Sequence, residues 1–207
     1  MRTKTLLLAA VLGVATIASS LAQVYSVNVV GYVNKSLVQG FNLISNPLDN
    51  KAANGNTISN LFAAAPEGTT VYKFAAGVFS ANGFEFGEWA NPNQTLVPGE
   101  GAFVLVPSAV SLTFVGDVKQ GTLSTPITQG FSIVSSQVPQ EGGMQTVLGF
   151  VPANGDTVYK WNPATQVYAT LGYEFDEWSQ EPVLGIAEAV FLNAVAAKSW
   201  DRTFTVN

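Results

Sequence analysis

A chain of 207 residues is long enough for a real core, but with no cysteine and no histidine it holds no disulfide, no Ser-His-Asp or Cys-His nucleophile and no His/Cys zinc site. Fourteen acidic residues against nine basic ones give a net charge of −5, and no basic cluster is present to meet the phosphates of nucleic acid. With 11% charged and 47% apolar residues the composition is not that of a disordered chain, and the chemistry left open is that of carboxylates, hydroxyls, lysines and oxygen ligands.

The first residues read as an export signal. Arg2 and Lys4 form a short basic region, residues 6–17 are apolar or small throughout, and Ser20-Leu21-Ala22 fits the small-x-small rule for signal peptidase. Residues 1–22 are therefore read as a signal peptide and Gln23 as the first mature residue. The apolar stretch is shorter than the roughly 20 residues of a membrane span. Cleavage removes two basic and no acidic residues, which leaves a formal charge of −7. No later run reaches 18 apolar residues, so no membrane insertion is expected after cleavage. Export without cysteine suits a bacterial protein, secreted, extracellular or periplasmic.

The mature chain reads as short strands punctuated by turns. Phe41, Leu43 and Ser45 alternate with a second apolar set, and Asn46-Pro47 ends the run. Residues 57–65 are the exception. Thr57 or Asn56 can cap, Ile58, Leu61 and Phe62 sit at helical spacing, and Pro66 stops the segment. A short helix is predicted there. A helix or helical turn is predicted at its counterpart, residues 144–151, on Val147, Leu148 and Phe150. Val71 to Phe74 and Val78-Phe79-Ser80 favour strand. Residues 102–106 are apolar at every position, as in a strand buried on both faces. Ser111 to Val115 alternates again.

The chain is written twice. Gly40-Phe41-Asn42-Leu43-Ile44-Ser45 returns as Gly130-Phe131-Ser132-Ile133-Val134-Ser135, and Thr70-Val71-Tyr72-Lys73 returns unchanged as Thr157-Val158-Tyr159-Lys160. Glu100-Gly101-Ala102-Phe103 returns as Glu188-Ala189-Val190-Phe191, and Thr113-Phe114 as Thr203-Phe204. The expected fold is mostly β: two tandem homologous β repeats, sandwich- or barrel-like, each with one short helix or helical turn. The first spans residues 23–118 with the N-terminal strand, and the second residues 119–207. Residues 119–129 read as a short Thr/Pro/Gly-rich connection. Val30-Gly31-Tyr32-Val33 resembles Val115-Gly116-Asp117-Val118 ahead of the second repeat. Tyr25 to Asn28 resembles Phe204 to Asn207, so the terminal strands either tie the two ends together or pair with a neighbouring molecule.

Gly40-Phe41-Asn42-Leu43-Ile44-Ser45-Asn46-Pro47-Leu48, Gly68 to Lys73, Phe86-Gly87-Glu88-Trp89 and Val97 to Phe103 together resemble a verrucomicrobial-type bacterial family of secreted, uncharacterised β-rich proteins. More loosely, each copy resembles the surface-protein repeat G-[WF]-N-L-I-S-x-P. The resemblance implies a location and a β-rich fold and carries no catalytic residue. The second copy departs from it at Ile186-Ala187-Glu188-Ala189, which puts its closing turn in doubt.

One duplicated stretch carries acids among rings: FEFGEW at residues 84–89 and YEFDEW at 173–178. As plain strand packing, a bulge or tight turn at Gly87 or Asp176 lets Trp89 join Phe84 and Phe86 in the core, with the acids in water. As a sugar site, Trp89 with Glu88 and Trp178 with Glu177 would offer rings and carboxylates, with Tyr168 and Trp161 in support. A calcium reading would use Glu174, Asp176, Glu177 and Glu181. A glycosidase would need Glu88 and Glu177 across a cleft. Lys73 and Lys160 read as outward lysines on strands. No catalytic residue, metal or cofactor is assigned. The expected function is that of a non-enzymatic exported structural or interaction protein of the cell envelope or extracellular matrix. Its expected partners are envelope or matrix proteins or glycans. A carbohydrate-binding module is the alternative and a carboxylate glycoside hydrolase the second alternative.

Overall fold

A computed structural model describes residues 29–206; Tyr25 to Asn28 and Asn207 lie outside the described residues. The first half contains β1 (Val30–Leu37), β2 (Gly40–Ser45), α1 (Ile58–Leu61), β3 (Thr70–Ala75), β4 (Val78–Glu85), β5 (Glu88–Trp89), β6 (Gly101–Val106) and β7 (Val110–Asp117). The second contains β8 (Gly121–Ile127), β9 (Gly130–Val134), β10 (Gly142–Gly143), β11 (Thr157–Asn162), β12 (Val167–Glu174), β13 (Glu177–Trp178), β14 (Val183–Leu184), β15 (Val190–Ala194) and β16 (Lys198–Phe204). The fold is mostly β, and every strand pairing is antiparallel.

The two halves follow one pairing scheme. A five-stranded sheet runs β2-β6-β3-β4-β5 in the first and β9-β15-β11-β12-β13 in the second, and a two-stranded ribbon, β1-β7 or β8-β16, accompanies each. The registers match as well: Thr70 faces Gly83 as Thr157 faces Gly172, and Phe84 faces Trp89 as Tyr173 faces Trp178. Residues 119–129 are thus more than a connection. They contain β8, in which Pro126 is tolerated because the ribbon hydrogen-bonds on one side only. The likeness of residues 30–33 to 115–118 is likewise not one of position. Gly31 faces Gly116 across the β1-β7 ribbon, so the two segments are partners, and the counterpart of β1 is β8. Within the described residues the last strand, β16, is paired with β8. The helix of the first half is a single turn, and the second half has only a turn there, with Val147 N and Leu148 N donating to Gly143 O at 3.0 and 2.9 Å.

Alternation on the strands builds three cores. In the first half Ile44, Val71 and Val104 face Leu37, Leu112 and Phe114 of the ribbon and Ile58, Leu61 and Phe62 around α1. In the second, Val134, Val158 and Leu192 face Ile127, Trp200, Met144 and Phe150. The opposite sheet faces meet each other through Leu43, Phe103, Ile133 and Ala189. This explains why β6 is apolar throughout: Ala102, Val104 and Val106 serve the first core, and Phe103 between them serves the junction.

Equivalent residues meet across that junction. Ser135 Oγ donates to Ser45 Oγ at 2.8 Å. Ser45 N donates to Ala187 O, and Ser135 N to Gly99 O, the same contact seen from either half. Gly101 sits where a Cβ would come within 2.4 Å of Ile133 Cγ2 and 2.5 Å of the Cβ of Ala189, its own counterpart. The halves therefore approach most closely where their residues are smallest. The closing turn of the second copy survives the loss of its glycine, because Ala187 takes φ 58 where Gly99 takes φ 99.

Candidate functional site

The FEFGEW and YEFDEW stretches are hairpins with two-residue turns. Phe86 and Gly87 have φ 54 and 79, and Phe175 and Asp176 have φ 54 and 65, the paired left-handed values of a type I′ turn. The turn resets the alternation. Trp89 points into the first core against Phe62 and Phe84, at 5.9 and 5.2 Å between ring centroids. Trp178 is half-buried against the second core beside Tyr173, at 5.1 Å. Trp89 is buried and Trp178 half-buried, so neither stands out as an exposed stacking platform, although Glu85, Glu88 and Trp89 line an opening of about 480 Å³ beside the first hairpin. Glu88 and Glu177 are exposed at the turns. Phe86 does not enter the core as expected: it and Phe175 are 95% and 91% exposed at the tips.

Each tip is braced by the preceding loop. The Glu67 carboxylate accepts from Phe86 N and Gly87 N, and its positional counterpart Asn154 accepts from Asp176 N at 2.8 Å and donates to Asp176 Oδ1 at 3.0 Å. A β-carbon at positive φ costs roughly 1–2 kcal/mol, and asparagine bears that conformation better than phenylalanine. Phe175→Asn is therefore expected to raise stability by about 1 kcal/mol in urea denaturation. A loss of stability would mean that the ring makes a contact its exposure denies.

The repeated lysines are internal ties. Lys73 Nζ donates to Thr95 O and pairs with Glu100 at 2.7 Å; Lys160 Nζ donates to Val183 O and lies 3.3 Å from Glu188. The four acids of the calcium reading are not brought together. Glu181 accepts from Gln145 N and Thr146 N, Asp176 is held by Asn154, and no group of three or more metal-ligating side chains forms among the described residues.

The concentration of unusual chemistry lies at the junction. Five rings of one half have five counterparts in the other: Phe41 and Phe131, Tyr72 and Tyr159, Phe74 and Trp161, Phe79 and Tyr168, Phe103 and Phe191. Their contacts repeat too. Phe103 meets Trp161 at 5.6 Å and 87°, as Phe191 meets Phe74 at 5.0 Å and 79°. Edge-to-face pairs of this kind contribute about 0.5–1.5 kcal/mol each beyond burial.

The equivalence breaks at two pairs. Phe79 stacks on Phe191 at 19°, whereas Tyr168 stands at 85° to Phe103. Phe131 stacks on Phe191 at 16° and 5.1 Å, whereas Phe41 stands at 90° to Phe103, 6.1 Å away. On the Phe41 side the rings frame an open groove of about 390 Å³, lined by Phe41, Tyr72, Phe79, Phe103, Trp161 and Tyr168. Of the residues read as a sugar site from sequence, only Tyr168 lines it, with its support Trp161. Burial pushes the Tyr168 phenol up from its ordinary value, which keeps the hydroxyl protonated. A larger cleft of about 610 Å³ lies beside Phe74 and Phe131, where Lys73 and Glu100 are already paired with each other.

Two side chains of the second half fix Phe41. Gln166 Oε1 accepts from Phe41 N at 2.9 Å, and Gln166 Nε2 donates to Phe41 O at 3.0 Å. Trp161 Nε1 donates to the same oxygen at 2.8 Å. The counterparts of Gln166 and Trp161 are Gly77 and Phe74, which have no group to make these bonds. Gln166 occupies φ 56 where Gly77 has φ 80, so a glutamine holds a position suited to glycine and reaches across the junction. Gly40 makes room for it: a Cβ there would stand 2.9 Å from Gln166 Oε1, while the equivalent Gly130 has nothing within 4 Å. The difference between Gln166 and Gly77 was visible in the repeat. That Phe41, Tyr72, Phe79 and Phe103 share one opening was not, because they lie on four different strands.

Comparisons of the chain with protein-family models, with curated proteins and with solved structures find no match.

Proposed function

We propose that this chain is an exported, non-enzymatic interaction protein of a bacterial cell envelope or extracellular matrix, and that it binds through the aromatic groove between its halves. The observation that carries this reading is the groove itself. Six rings from both halves surround an opening that is braced by hydrogen bonds from one half to the Phe41 backbone of the other. Its volume lies within the roughly 300–1,000 Å³ of ligand sites, and its walls are aromatic, as such sites are. Residues 1–22 support export, and the absence of cysteine suits an exported bacterial protein. Its partners are envelope or matrix proteins or glycans. Glu88 and Glu177, the pair a glycoside hydrolase would need, lie exposed on separate hairpins rather than in the groove, which favours binding over catalysis.

The test is a sedimentation isotherm of the mature protein on envelope preparations from the producing organism. Saturable binding is expected, weakened at least tenfold by Trp161→Ala with Tyr168→Ala in a variant whose circular dichroism is unchanged. Binding that does not saturate, or that ignores both substitutions, overturns the proposal.

A further inference from the structure

We infer that the ligand of this groove is a neutral carbohydrate, laid with its apolar ring faces against Phe41, Trp161 and Tyr168 and its hydroxyls toward Tyr72 and Tyr168. The inference rests on the groove being the binding site. Three observations select the class. First, none of the six lining residues is charged, so an ionic ligand would leave water without a countercharge. Second, the phenol oxygens of Tyr72 and Tyr168 have no hydrogen-bond partner among the described residues, although both side chains line an otherwise apolar opening. A phenol both donates and accepts, which matches a ligand that carries many hydroxyls. Third, Trp161 Nε1, the one N–H among the six lining side chains, already gives its hydrogen to Phe41 O at 2.8 Å, so no N–H is left for the carbonyls of an extended proline-rich peptide. A ligand with flat C–H faces and hydroxyl edges meets all three conditions. An alkylammonium ion meets the ring faces but has nothing for the two phenols.

The braced geometry adds to this. Gln166 and Trp161 hold the Phe41 backbone, and the Phe41 ring stands at 90° to Phe103 where Phe131 stacks on Phe191 at 16°, so the walls stand apart without a ligand. A preformed site loses less conformational entropy on binding. Gln166 is a positioning residue here. Gln166→Gly copies its counterpart Gly77, suits the positive φ, and removes the brace without removing a ring.

The experiment is isothermal titration of the mature protein with four neutral oligosaccharides: cellohexaose, laminarihexaose, xylohexaose and chitohexaose. Tetramethylammonium chloride and a decaproline peptide are the contrasting probes. At least one oligosaccharide is expected to bind saturably. Tyr168→Phe, which removes one oxygen, should weaken it about three- to tenfold, and Gln166→Gly should weaken it similarly while leaving the thermal unfolding midpoint within a few degrees. Failure of all four sugars overturns the carbohydrate assignment, as does sugar binding that Tyr168→Phe and Gln166→Gly leave unchanged. If decaproline or tetramethylammonium binds instead, and Gln166→Gly weakens it, the ligand class falls while the groove stands as a binding site. If no probe binds and the envelope isotherm also ignores the groove substitutions, both readings fall.

Discussion

Asp156→Ala is expected to cost about 3–5 kcal/mol, the usual loss when one partner of a buried ion pair is removed. Asp156 has no exposed surface. Its carboxylate accepts from Ala153 N at 2.9 Å and Val195 N at 3.0 Å and pairs with Lys198, whose ammonium also lies 5.7 Å from the Phe150 ring centroid. Alanine would strand that ammonium, only 16% exposed along its side chain, together with two amides. The corresponding residue of the first half is Thr69, also fully buried, whose hydroxyl donates to Pro66 O. The same corner is thus closed without charge in one half and with an ion pair in the other. In urea denaturation Asp156→Ala should lower the unfolding free energy by the stated amount, and adding Lys198→Met should restore part of it. A loss below about 1 kcal/mol, or no recovery in the double variant, would contradict a buried pair.

Phe103→Ala is the second large effect, about 3–5 kcal/mol, the range for truncating a buried phenylalanine. Phe103 is buried at the junction and contacts Phe41, Phe79, Trp161 and Tyr168, with centroid distances of 5.6–6.3 Å. Its loss removes the apolar contact, opens a cavity between the halves and takes one ring partner from each of four aromatic side chains. Phe86→Ala, by contrast, should change stability by no more than about 0.5 kcal/mol or raise it slightly, because its ring touches solvent. Equal losses for the two substitutions would show that the junction is not a shared core.

How much of this was written in the sequence differs by element. The all-apolar run of β6 disclosed a strand covered on both faces, and the matched TVYK segments marked equivalent strands. The β4-β5 and β12-β13 hairpins were half legible: Gly87 and Asp176 announced a bulge or tight turn, but Phe86 and Phe175, their first turn residues, were read as strand. A left-handed turn is ordinarily announced by asparagine or glycine, and an aromatic there reads as one more strand residue. Strand β8 was hidden by Pro126 and its two threonines, which suit a connection as well as a ribbon paired on one side. The groove was least legible. Its rings come from β2, β3, β4, β6, β11 and β12, and no spacing in the chain reports a surface assembled from two sheets. Two local differences between the halves act on Phe41: Gln166 precedes β12 where Gly77 precedes β4, and Trp161 stands where Phe74 stands.

Hydrogen exchange of the mature protein with and without its envelope ligand tests the groove-centred function most directly. Slowed exchange at the Phe41 amide and along the β11-β12 hairpin, with the Phe86 and Phe175 tips unchanged, is the expected result. Protection at those two tips with no change at Phe41 would contradict it and place binding on the exposed hairpins instead.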